Sequence, residues 1–228
     1  MIEMHDVWKV YPNGIEALRG VNITIDTGEF VYVVGPSGAG KSSFIKLMYR
    51  EEKPTSGVVL INGVNVKRVR DWKIPHLRRK IGVVFQDYKL LPHMSAYDNV
   101  AFALEAVEVP TKQIPPRVEE ALELVGLSDR MKALPSQLSG GEQQRVSIAR
   151  AIVNNPGFII ADEPTGNLDP ENSWDIMYLL EEINMRGTTV VMATHNKEIV
   201  NTMRQRVIAI EQGIVVRDEI GGEYGYED

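Results

Sequence analysis

The apolar run Phe30–Val34, "FVYVV", stops at Gly35 and opens into "GPSGAGKS", after which "KSSFIKLMYRE" takes on helical character. This strand–loop–helix order constrains the fold more than any other stretch. A strand without polar alternation is covered on both faces, as in a parallel sheet flanked by helices. Gly35, Pro36, Ser37, Gly38, Ala39, Gly40, Lys41 and Ser42 together satisfy G-x-x-x-x-G-K-[ST]. The glycines let backbone N–H groups converge on phosphate oxygens, and the helix beginning near Lys41 adds the positive end of its dipole. Lys41 is expected to reach the β and γ phosphates of a nucleotide, and Ser42 to ligate Mg²⁺.

A second strand supplies what such a loop lacks. "GFIIADE" is apolar until Asp162, which falls at the tip of a parallel sheet, where bound phosphates lie. A carboxylate there holds Mg²⁺ through its water shell. Glu163 follows at once, so strand alternation turns it another way. It is placed to accept a hydrogen bond from a water aligned on the γ-phosphate, as general base or orienter. Alone, it would read as a solvated loop acid.

Other stretches fill in the frame. "IEMHDVWKVY", "VNITI", "VVLING", "KIGVVFQ", "TTVVMATH" and "RVIAIEQG" read as strands, with "TGEF" as a turn. Between about 87 and 153 the character changes. "SAYDNVAFALEAV", "RVEEALELVGL" and "GEQQRVSIARAIV" have helical spacing, which predicts a helical insertion. A long helix follows Asp169, which caps it, with Pro170 in the first turn, Glu171 on the dipole and Gly187 at its end. The tail "GGEYGYED" is read as mobile, and "KRVRDWK" and "HLRRK" as solvated basic faces.

Composition narrows the function. The formal charge of −6 argues against a nucleic-acid partner, and with no cysteine there is neither a disulfide nor a thiolate metal site. "MIEMHDVWKV" has no basic leader or apolar core of an export signal, and no apolar run approaches the ~20 residues that cross a bilayer. If the chain works at a membrane, another chain must hold it there. "THNKEI" approaches the guanine-reading N-K-x-D, but Ile199 stands where the aspartate is needed, which disfavours a GTPase.

"LSGGEQQR" raises the remaining question. Ser139, Gly140 and Gly141 at a helix start suit an anion, although the chain already has a phosphate loop. Taken together, the phosphate loop, Gln86, "LSGGEQQR", "FIIADEPTGNLD" and His195 resemble ABC-type ATPase domains over nearly the whole chain. The resemblance implies an α/β fold: a P-loop, mostly parallel sheet core (residues 1–86 and 154–228) with an N-terminal antiparallel β subdomain, and an inserted α-helical subdomain (87–153). It implies a homodimer formed around two ATP molecules, in which the Ser-Gly-Gly of one copy closes on the γ-phosphate held by the other. By the same resemblance Tyr11 stacks on adenine, Gln86 senses Mg²⁺ and the attacking water, His195 contacts the γ-phosphate, and Asn167, Leu168 and Asp169 lie at the dimer seam. Two departures stand out: Glu142 occupies a frequent glutamine position, and Ser43 replaces a frequent threonine.

The apolar and aromatic residues Tyr88, Leu90, Leu91, Met94 and Tyr97 are expected to divide between packing in the insertion and a groove for a cytoplasmic helix of a membrane subunit. Within the superfamily, "VVFQDYKLLP", "IVNNP", "ADEPTGNLDPENSW", "TTVVMATHN" and "RVIAIEQGIVVRDE", with the "GEYGYED" tail, resemble the bacterial cell-division ATPases. Those pair with an FtsX-like integral membrane protein and act on cell-wall hydrolysis. The implied location is the cytoplasmic face of the cell membrane, reached through the partner. Lipoprotein-release and macrolide-export ATPases share much of the pattern and remain the alternative.

Overall fold

Five apolar runs build the centre of the molecule. The computed structural model describes residues 1–225. Strands β3 (Phe30–Val34), β6 (Ile81–Phe85), β7 (Phe158–Asp162), β8 (Thr189–Ala193) and β9 (Arg206–Glu211) run parallel, and β10 (Ile214–Glu219) adds antiparallel at the edge, in the order β10-β9-β3-β8-β7-β6. A second sheet, β2-β1-β4-β5, is antiparallel: β1 (Ile2–Val10), β2 (Glu16–Ile25), β4 (Ser56–Ile61) and β5 (Val64–Asn65).

Strand periodicity splits the core in two. On β3, Val31 and Val33 face one cluster with the antiparallel sheet and helix α1 (Lys41–Met48), while Phe30, Tyr32 and Val34 face the other. The second cluster gathers α3 (Ala96–Glu105), α4 (Ile114–Leu124), α5 (Gly140–Ile152), α6 (Pro170–Met185) and α7 (Lys197–Met203). A short helix, α2 (Ile74–Arg78), precedes β6. Among the described residues no strand lies between Phe85 and Phe158.

Several sequence expectations need correction. β10 was not anticipated, and β2 begins earlier than "VNITI". The basic run "HLRRK" is not wholly solvated: Arg78 donates to the carbonyls of Tyr49 (3.1 Å) and Arg50 (3.3 Å). Residues 221–225 of the tail read as mobile are held by side chains from β10 and α7, while residues 226–228 lie outside the described part.

Of the residues from Tyr88 to Tyr97, some pack within the insertion. Leu90 and Tyr97 pack on the helical core, whereas Met94 is exposed.

Candidate active site

The phosphate loop runs from the end of β3 into α1. Gly40 caps the helix with φ of 111°, and a Cβ there would lie 2.3 Å from the Ala17 carbonyl oxygen. Only glycine lets the loop pass so close to β2. Lys41 Nζ donates to the carbonyls of Gly35 at 2.7 Å and Pro36 at 3.0 Å. Burial holds its ammonium below the ordinary lysine range, against the opposing pull of Glu163 and Asp162.

Parallel register brings the acids to this loop. Asp162 ends β7 opposite Ala193 of β8, and Glu163, one residue beyond β7, meets His195, two residues beyond β8. Burial, then the neighbouring Glu163, pushes the Asp162 carboxyl above its ordinary range. Glu163 leaves the strand with φ of 49° and its N–H donates to the Ala193 carbonyl at 2.9 Å. That left-handed turn aims its Oε2 to within 3.1 Å of His195 Nδ1. Ile199, the residue that argued against guanine recognition, is buried in α7.

A cleft of about 860 Å³ follows from these placements. Tyr11, Gly35, Pro36, Ser37, Gly38, Ala39, Gly40, Lys41, Ser42, Ser43, Glu163 and His195 are among the residues that line it. Tyr11 and Ser43 share a hydrogen bond of 3.0 Å, and Lys9 Nζ sits 4.7 Å from the Tyr11 ring centroid. The ring is half-buried in the cleft lining and belongs to neither buried core cluster.

Gln86, just beyond β6, lies outside the cleft lining. Its Nε2 donates to Asn167 Oδ1 at 3.2 Å, and Asn167 Nδ2 donates back to the Gln86 carbonyl at 3.0 Å.

Ser139, Gly140, Gly141 and Glu142 do not line the cleft either. They form the N-terminus of α5 as a capping box: Glu142 N–H donates to Ser139 Oγ at 3.2 Å, and Ser139 N–H to Glu142 Oε2 at 2.8 Å. Arg130 donates to the other Glu142 oxygen at 3.1 Å. The Ser139 backbone, above all, holds the Glu142 carboxyl below its ordinary range, so its charge is already matched within the chain. A Cβ on Gly141 would come within 2.3 Å of Asn172 Oδ1, so this helix start is pressed against α6. Asp169 caps α6 by accepting from Asn172 N–H at 3.0 Å.

Three contributors were not found from sequence. Gln144 is fully buried and donates to the Pro164 carbonyl at 2.6 Å. Arg150, near the C-terminal end of α5, donates to the carbonyls of Tyr88 and Lys89, each at 2.7 Å. Tyr88 and Lys89 have φ of 58° and 50°, which turns those carbonyls toward the arginine. Tyr224, from the C-terminal segment, lines the cleft beside Gly35, Glu163 and His195. Gln144 and Arg150 had a visible helical context, but their partners lie far away in sequence; nothing local marks Tyr224.

The donor chemistry fits a magnesium nucleotide. Among the described residues no cluster of three or more His, Cys, Asp or Glu could hold a metal by itself. A hydroxyl at a helix start and a half-buried carboxylate at a strand tip are hard oxygen donors, the set Mg²⁺ takes together with phosphate oxygens.

Comparison with known proteins agrees with the geometry. Residues 18–166 match the family described as ABC transporter, and the chain belongs to that family as an ATP-hydrolysing domain. It is 65% identical over 228 residues, 100% of both chains, to the cell division ATP-binding protein FtsE of Bacillus subtilis. With FtsE of Escherichia coli it shares 45% identity over 213 residues, covering 93% of this chain and 96% of that one. The methionine import ATP-binding protein MetN of Helicobacter hepaticus is 42% identical, covering 95% of this chain and 62% of its own. In three dimensions the chain matches the dimeric, post-hydrolysis structure of the ATP-binding cassette MJ0796 bound to ADP and Pi, with a TM-score of 0.87 and 38% identity over 99% of this chain and 100% of that one.

Proposed function

We propose that two copies of this chain enclose two ATP molecules and use their hydrolysis to drive an FtsX-like integral membrane protein that controls cell-wall hydrolysis during division. The observation that carries the division role is full-length identity of 65% to a cell division ATP-binding protein, with no remainder on either chain.

Within the site, Lys41 and the loop N–H groups bind the β and γ phosphates, and Tyr11 offers its ring to the adenine. Ser42, Asp162 and Gln86 would hold Mg²⁺, which neutralises charge as the γ-phosphoryl is transferred. Glu163 orients the attacking water and takes its proton; His195, 3.1 Å from that carboxylate, contacts the γ-phosphate and keeps Glu163 aimed. In one copy the Ser139 helix start does not line its own cleft, which supports its service to the neighbour's nucleotide.

The partner would meet the surface between α2, β6 and the helical insertion, where Pro75, Ile81, Val83, Ala103 and Val107 line a groove. Its anchoring would place the chain on the cytoplasmic face of the cell membrane; no described helix is long and apolar enough to cross one. Affinity purification of the tagged chain from solubilised membranes tests the reading. Recovery of an FtsX-like subunit is expected; co-purification with a many-helix permease would overturn the division role in favour of a transporter.

A further inference from the structure

Residues 221–225 turn back from β10 and cross to the phosphate side of the sheet. Tyr224 N–H donates to Asn201 Oδ1 of α7 at 2.7 Å. Arg217 of β10 donates to the carbonyls of Glu223, Tyr224 (3.2 Å) and Gly225 (2.9 Å). Arg204, at the end of α7, pairs with the Glu223 carboxylate. Lys197, the first residue of α7, sets its ammonium 5.6 Å from the Tyr224 ring centroid. A loose chain end would have none of these anchors.

The ring they position sits in the nucleotide cleft and packs on the helical core. Burial, then the Glu163 charge, raises the phenol above the ordinary tyrosine range, and the Gly35 backbone pulls the other way. Tyr224 thus lines the cleft together with Gly35, the first glycine of the phosphate loop, and Glu163.

We propose that Tyr224 is a positioning residue for ATP hydrolysis, tying the helix that follows His195 to Gly35 of the phosphate loop. The inference rests on the reading of Glu163 and His195 as the γ-phosphate end of the cleft. Helix α7 starts two residues after His195, so what fixes α7 against the loop also fixes the His195–Glu163 pair. A neutral phenol suits the task because it donates or accepts without adding charge beside a triphosphate.

Steady-state ATP hydrolysis by the full chain, with thermal melting of the nucleotide-free protein, tests the proposal. Tyr224→Ala is expected to lower kcat about 10-fold through misplaced groups, with KM for ATP within about twofold of wild type and only a small fall in melting point from the lost core contact. Wild-type kcat in this variant overturns the proposal. So does a joint fall of kcat, affinity and melting temperature, which marks a purely structural tether. Should Tyr224→Ala not fold, Tyr224→Phe decides: it keeps the ring on Lys197 and loses the hydroxyl's reach to Gly35, so kcat should fall about threefold. Wild-type kcat there overturns the proposal. Lys41→Ala separates the two readings: if that variant hydrolyses ATP normally, the cleft itself has been misread, whatever Tyr224 does.

Discussion

Glu163 holds a backbone conformation that costs a non-glycine residue of order 1–3 kcal/mol. The strain turns its carboxylate out of the line of β7, toward His195 and away from the direction Asp162 takes. The carboxylate, then, is what hydrolysis requires and binding does not. Glu163→Gln should bind ATP normally, accumulate closed dimers and lose roughly 10²–10³-fold in kcat. Unchanged turnover, with size-exclusion showing no ATP-dependent dimer, would remove Glu163 from its role. Asp162 carries a different signature. Its folded-state pKa lies above the ordinary 3.8, so the folded protein holds that proton more tightly than the unfolded chain. Its contribution to stability therefore falls as pH rises from 3.8 through the folded value, and is least favourable at neutral pH. Asp162→Asn should raise the melting temperature of nucleotide-free protein at pH 7 while impairing hydrolysis; a lower melting temperature would contradict the burial account. The positions of these acids could be read from spacing. The sign of φ at Glu163 could not, because strand alternation gives a side chain's direction and not the twist of the residue beyond the strand's end.

Helix caps were the most legible feature of the elements, since a cap is local chemistry. Asp169, Pro170 and Gly187 bracket α6 as their residue types require, whereas the capping box of Ser139 and Glu142 at the start of α5 emerges only in the structure. Ser139→Ala loses the accepted bond at N3, which costs about 1 kcal/mol and should lower the melting temperature by roughly 2–4 °C. Ser139→Thr should restore it in a calorimetric scan; equal melting of all three proteins would show that the box carries no stability. β10 was missed although its turn left a trace. Gln212 and Gly213 have φ of 47° and 80°, the pair of positive values a tight hairpin demands, and Gly213 was the visible half of that signal. The strand it leads into ends in Arg217, Asp218 and Glu219, charges that suit an edge but obscure a strand in sequence. The tail was misjudged for another reason: what holds it comes from β10 and α7, and no local pattern reports such meetings.

At the scale of the whole molecule, the sheet separates two cores, and the two glycine-rich helix starts belong to different sides of it. In the proposed dimer, substitutions at Lys41 and Ser139 impair opposite halves of a nucleotide site. A mixture of Lys41→Ala and Ser139→Ala chains should hydrolyse ATP faster than either alone, because one shared site in each mixed dimer keeps both halves intact. Inert mixtures, with mixed dimers verified by differential tags, would argue that each copy works alone. Helix α5 has a further consequence in such an assembly. Its 13 residues span about 20 Å, with Gly140 at one end and Arg150, gripping the carbonyls of Tyr88 and Lys89, near the other. A helix resists compression along its axis, so an ångström of travel at the end facing a neighbouring copy arrives at Lys89 almost undiminished. In the proposed dimer, news of closure at the nucleotide would have a stiff rod to travel along, ending at Arg150, which also lines the groove proposed for the membrane subunit.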